Sequence, residues 1–80
     1  MTALATPTGA AFTERQLQVL QLLKDGATNV EIGKALFISP DTVKTHVRIL
    51  FALTGTHNRV QLAIWVYQHD KPADQHHSVM

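Results

Sequence analysis

Four separate helix starts are written between Thr13 and Asn58, and they leave a chain of this length little choice but a set of short packed helices. Thr13 is followed three residues later by Gln16, and Thr28 by Glu31. In each pair the hydroxyl takes a free amide of the first turn while the longer side chain reaches back to the cap. Asn58 with Gln61 repeats the pattern. The third start is the sharpest: Ser39 as cap, Pro40 at the first helical position where no amide is needed, and Asp41 favoured by the helix dipole. Gly26 and Gly55 supply left-handed stops.

These signals predict helices from Thr13 to about Asp25, from Thr28 to near Leu36, from Pro40 to about Leu53, and from Asn58 to near His69. Spacings of three and four select the buried faces: Val19, Leu20, Leu22 and Leu23 in the first helix, and Ile32, Ala35 and Leu36 in the second. In the third they select Val43, Val47, Leu50 and Thr54, and in the fourth Val60, Ala63, Ile64 and Tyr67. Gly33 inside the second helix costs about 1 kcal/mol of helix propensity relative to Ala, which predicts another backbone crossing closely there. No stretch alternates with period two, and no repeat recurs at a fixed spacing, so the fold class is all-α: a compact four-helix domain over residues 12–69. Residues 1–11 and 70–80, small and polar with Pro or Gly and no helical or strand period, are expected to be a flexible leader and a flexible tail.

Composition narrows the function. Hydrophobic residues make up 45% of the chain and charged residues 16%, the balance of a globular domain. With no cysteine there is no disulfide or thiolate metal site, and stability must come from packing. The longest apolar run, Leu62 to Tyr67, is too short to cross a bilayer, and no Lys or Arg opens the chain as in a signal peptide, so a soluble cytoplasmic protein with no membrane partner is expected. Gly-rich phosphate loops, clustered carboxylates and partnered nucleophiles are missing, which argues against an enzyme and against a cofactor or small-molecule ligand. His46 lies between the core positions Val43 and Val47 and reads as structural, and the pair His76 and His77 reads as a solvated tail rather than a metal site.

Net charge is only +1, yet the segment from Ser39 to Val60 holds Lys44, Arg48 and Arg59 against a single Asp41. Turning Val43, Val47 and Leu50 inward leaves Asp41, Lys44, Thr45, Arg48 and Ala52 on the opposite side of the third helix. A short turn from Leu36 to Ser39 before an amphipathic second helix meets the demands of a helix-turn-helix, whose second helix enters the major groove of double-stranded DNA. There Arg48 or Lys44 can donate to guanine O6 and N7, and Thr45 can offer a methyl or a hydroxyl to a base. Phosphates would be met at helix ends by Thr28, Ser39 and Thr42, with Arg59 as a nearby cation. Charge pattern alone fits an ordinary solvated face equally well.

A more specific signal is the string from Phe12 to Val66. Its marks are Thr13, Arg15, Val19 and Leu20; Gly26, Asn29, Glu31 and Ile32; the run Leu36, Phe37, Ile38, Ser39; Thr42 to Val47; and Gly55, Asn58, Arg59 and Val60. In these positions the chain resembles the LuxR-type helix-turn-helix DNA-binding domain along its whole length. The closing RVQLAIWVYQ is most similar to the output modules of response regulators in two-component systems. The resemblance implies sequence-specific DNA binding by a bacterial transcriptional regulator, with a recognition helix over about 40–53 and a partner role for RNA polymerase. It implies base contacts at Lys44, Thr45 and Arg48 and phosphate contacts near Thr28, Ser39 and Thr42. It also implies a homodimer on DNA through the C-terminal helix, expected at Leu62, Trp65, Val66 and His69, although Trp65 suits a core role as well.

Departures from the family pattern are Gln16, where a Glu is usual, and Leu17, Ile49 and Leu53, where polar or basic residues are usual. Those three are expected to present apolar surface, and Ile49 and Leu53 open a second reading, a helical protein-interaction module that has lost DNA binding. Sigma-factor promoter-reading regions share the core pattern, but Asn58, Arg59, Val60 and Gln61 opening a fourth helix favour the LuxR type.

Overall fold

The computed structural model describes residues 11–69; the expected leader, tail and His76–His77 pair lie outside them apart from Ala11. Four helices follow one another: α1 (Glu14–Lys24), α2 (Asn29–Leu36), α3 (Pro40–Thr54) and α4 (Arg59–His69). Each forms where the capping residues place it. The Thr13 hydroxyl accepts from the Gln16 amide at 3.1 Å while Gln16 Oε1 accepts from the Thr13 amide at 2.8 Å. Thr28 and Glu31 repeat that reciprocal pair, and Ser39 Oγ accepts from the Thr42 amide at 3.1 Å. Each cap is worth about 1 kcal/mol. Gln16 therefore keeps the full capping box in place of the usual Glu. At the start of α4, Asn58 Oδ1 takes the Gln61 amide, but Gln61 Oε1 reaches to the His57 amide, one residue before the cap.

The ends are set by backbone reversal. Gly26 (φ +92°) closes α1, with its own N–H donating to Leu23 O and the Ala27 N–H to Leu22 O, and Gly55 (φ +74°) closes α3. Helix α2 ends differently, on Phe37 at φ +61°, a left-handed conformation that costs an L residue about 1 kcal/mol.

The core is one cluster: Phe12, Val19, Leu20, Leu23, Ile32, Val43, Val47, Leu50, Leu62 and Val66. Helix α1 packs on α4 and α3, and α2 packs on α3. Fully burying each aliphatic side chain stabilises by about 2 kcal/mol, so the cluster supplies the main driving force. The expected inner faces of α1 and α3 are found, with Leu22 only half-buried. Ala35 is exposed, because the short α2 meets α3 through Ile32 and Gly33 and leaves its far side facing out.

The inner face of α4 must be corrected. Leu62 and Val66 are fully buried and Ala63 is half-buried, whereas Val60, Ile64 and Tyr67 stand 50–68% exposed. The helix carries two apolar stripes at the same spacing, so periodicity cannot choose between them; packing on α1 does.

Gly33 explains the tightness of the α2–α3 turn. A Cβ at that position would lie 2.5 Å from the carbonyl oxygen of Ile38. The backbone that crosses there is the turn itself, held by donation from the Ile38 N–H to Gly33 O at 2.9 Å. Only a residue without a side chain lets α3 start this close to α2.

Candidate nucleic-acid interface

With Val43, Val47, Leu50 and Thr54 buried, α3 presents Asp41, Lys44, Thr45, Arg48 and Ala52 to solvent. The expected base-reading residues Lys44, Thr45 and Arg48 therefore share one exposed face, and the buried Thr54 hydroxyl is satisfied by donating to Leu50 O at 2.8 Å. Lys44 and Arg48 are one helical turn apart and bring two cations to the same ridge.

Thr45 is more constrained than its sequence suggests. Its hydroxyl donates to the Asp41 carbonyl at 3.2 Å, so the proton is spent inside the helix. What remains for a partner is a methyl group and an oxygen that accepts, chemistry suited to the thymine methyl or to an amino group of adenine or cytosine.

Thr28, Ser39 and Thr42 are all exposed. The Thr28 hydroxyl accepts from the Glu31 amide and keeps its own proton for an outside acceptor. Ser39 and Thr42 hydroxyls lie 3.0 Å apart, so one donates to the other and one proton stays available. Hydroxyl donors at helix starts, beside the positive end of the dipole, suit a phosphate oxygen.

Arg59 does not belong with them. Its guanidinium is directed inward, donating through Nη1 to Asn29 Oδ1 at 2.8 Å and through Nη2 to the Ala27 carbonyl at 2.6 Å. Both terminal nitrogens donate around the start of α2, an arrangement that the expectation of a phosphate-facing cation did not include. Nothing in the sequence spacing signals this pairing, because Asn29 and Arg59 are far apart along the chain.

Two of the residues expected at a dimer contact are also corrected: Leu62 and Val66 have no exposed surface and are spent on the core of the monomer. Trp65 is half-buried, its ring edge-on to Phe12 at 5.8 Å and stacked on His69 at 4.2 Å. That matches the core reading of the tryptophan. His69 is exposed and its Nδ1 lies 2.8 Å from the Trp65 carbonyl. The exposed apolar surface of α4 is instead the stripe of Val60, Ile64 and Tyr67.

Among the departures, Leu17 and Leu53 are half-buried against the core, and only Ile49 is exposed. Leu17 and Leu53 keep part of their surface in contact with solvent. Among the described residues no group of three or more His, Cys, Asp or Glu could hold a metal ion, and no helix is long and apolar enough to cross a membrane.

Residues 10–66 match the family model described as bacterial regulatory proteins, luxR family. The chain is 45% identical over 56 residues to the CsgBAC operon transcriptional regulatory protein of Escherichia coli strain K12, covering 70% of this chain and 26% of that protein. It is 38% identical over 58 residues to the transcriptional regulatory protein LiaR of Bacillus subtilis, covering 72% and 28%. It is likewise 38% identical over 59 residues to the response regulator protein VraR of Staphylococcus aureus, covering 74% and 28%. The chain therefore spans about a quarter of the length of these curated relatives.

Proposed function

The chain belongs to the luxR family of bacterial regulatory proteins, helix-turn-helix domains that bind DNA in transcription regulation, and from that premise we propose that it reads a specific duplex through α3 laid in the major groove. The observation that carries this reading is the exposed ridge of Lys44, Thr45 and Arg48 opposite the buried Val43, Val47 and Leu50. Lys44 and Arg48 donate to guanine edges, and Thr45 offers its methyl or its acceptor oxygen. Thr28, Ser39 and Thr42 hold the phosphates on either side. Each good bidentate contact discriminates by about 1–3 kcal/mol, so one domain selects a half-site and two select an operator.

The second copy docks through the α4 stripe of Val60, Ile64 and Tyr67 rather than through the buried Leu62 and Val66. This reading makes the protein a homodimer on DNA, acting in the cytoplasm as a regulator with no catalytic step, in contact with RNA polymerase.

Selection of bound duplexes from a random pool at fixed salt tests the reading. Enrichment of paired half-sites is expected, with affinity falling steeply as salt rises because phosphate contacts release counterions. Recovery of no motif, together with salt-independent binding, would overturn it in favour of a protein-interaction module.

A further inference from the structure

Helices α2 and α4 do not pack on each other; α2 rests on α3 and α1, and α4 on α1 and α3. Yet the Arg59 side chain spans the gap. Arg59, the first residue of α4, donates to Asn29 Oδ1 at 2.8 Å and to Ala27 O at 2.6 Å. Asn29 is the first residue of α2 and Ala27 lies just before its cap, so both acceptors flank Thr28. A guanidinium only donates, so Asn29 must turn its amide oxygen to Arg59, which leaves its NH2 group for an acceptor elsewhere. The planar fork fixes two acceptors at once and does so from a partly buried position, where solvent competes weakly.

We infer that Arg59 is a positioning residue for DNA binding: it ties the amino end of α2, with Thr28, to α4, and so sets the phosphate-facing end of α2 from the helix that carries the Val60, Ile64 and Tyr67 stripe. This inference rests on the proposed DNA reading for its purpose, but not for its mechanics. Arg59 touches no phosphate. It acts through Asn29 and the Ala27 carbonyl, and it makes the placement of a second copy on α4 and the placement of Thr28 on the backbone parts of one rigid unit.

Two substitutions in the full chain separate this from the alternatives. Arg59→Gln removes the fork and the charge; Arg59→Lys keeps the charge but lacks the planar fork that holds two acceptors together. The first readout is hydrogen exchange of the free protein. The Glu31 amide donates to Thr28 Oγ1 and the Ile32 amide to Thr28 O at 2.8 Å. Both variants are expected to speed exchange at these two amides about tenfold or more while leaving Thr42 and Val43 at the start of α3 unchanged. Equal exchange at all four amides, or a uniform rise, would overturn the inference.

The second readout is affinity for a duplex selected by the unaltered chain, measured across a salt series with the variants shown to be folded. Both variants are expected to bind about tenfold more weakly, with the slope of log affinity against log salt unchanged. A slope shallower by about one in Arg59→Gln, with Arg59→Lys binding as the unaltered chain does, would make Arg59 a phosphate contact and overturn the positioning role. If the unaltered chain selects no duplex, the DNA reading fails while the exchange result still decides whether Arg59 holds the end of α2.

Discussion

Replacing Gly33 with Ala should destabilise the domain more than any other glycine-to-alanine change among its described helices and caps. The new Cβ would sit 2.5 Å from the Ile38 carbonyl oxygen and 3.5 Å from Pro40 N. An unstrained carbon–oxygen contact needs about 3.3 Å, so the turn must retreat by roughly 0.8 Å. The obstacle is backbone, with no flexible side-chain end to swing aside. Alanine gains about 1 kcal/mol of helix propensity. Against that stand about 2 kcal/mol of overpacking and about 1 kcal/mol for weakening the Ile38 to Gly33 hydrogen bond. The net loss is about 2 kcal/mol, which lowers the melting temperature of a domain this small by roughly 8–16 °C. Gly55→Ala is the control. Nothing lies within 4 Å of its Cβ position, so only the positive φ counts against it, at about 1 kcal/mol. Thermal and urea unfolding followed by far-ultraviolet circular dichroism should rank Gly33→Ala below Gly55→Ala. A Gly33→Ala protein that melts at or above the unaltered one would refute the close-crossing explanation of the turn.

Three further outcomes follow from the same geometry. Phe37 is 93% exposed in a left-handed conformation, so Phe37→Gly gives up no burial and should raise stability by up to about 1 kcal/mol in urea unfolding; a loss would contradict the strain assigned to it. Leu62→Ala should cost about 2–5 kcal/mol because it empties a filled core site, and a cost near zero would place Leu62 outside the core. Ile64→Glu should leave the melting temperature within a few degrees of the unaltered chain while abolishing dimers on DNA in sedimentation measurements; persistence of the dimer would remove the α4 stripe from the interface.

Much of this architecture is legible in the sequence, and the parts that are not share a cause. Caps and stops act within a few residues, so Thr13, Thr28, Ser39, Gly26 and Gly55 announce the helices that the structure contains. The face of α3 is readable because its apolar and polar residues separate cleanly, with Val43, Val47 and Leu50 on one side and Lys44 and Arg48 on the other. Helix α4 offers no such separation. Val60, Ile64 and Tyr67 look as buriable as Leu62 and Val66, and only the docking on α1 decides between them. The inward turn of Arg59 is likewise invisible in spacing, since it depends on bringing Asn29 and Ala27 beside α4 in three dimensions. Sequence marked Gly33 as a crossing point, but the identity of the crossing strand, the carbonyl of Ile38, comes from the fold.

Whether the cationic side of α3 grips base pairs is tested most directly by one comparison: the affinity of the Lys44→Glu, Arg48→Glu double variant and of the unaltered chain for a duplex that the latter selects. Losing two base-edge contacts of about 1–3 kcal/mol each predicts binding weaker by at least about 30-fold, in a protein whose circular dichroism and melting temperature stay close to the original. Undiminished affinity in the folded double variant would contradict the assignment of α3 as the reading helix.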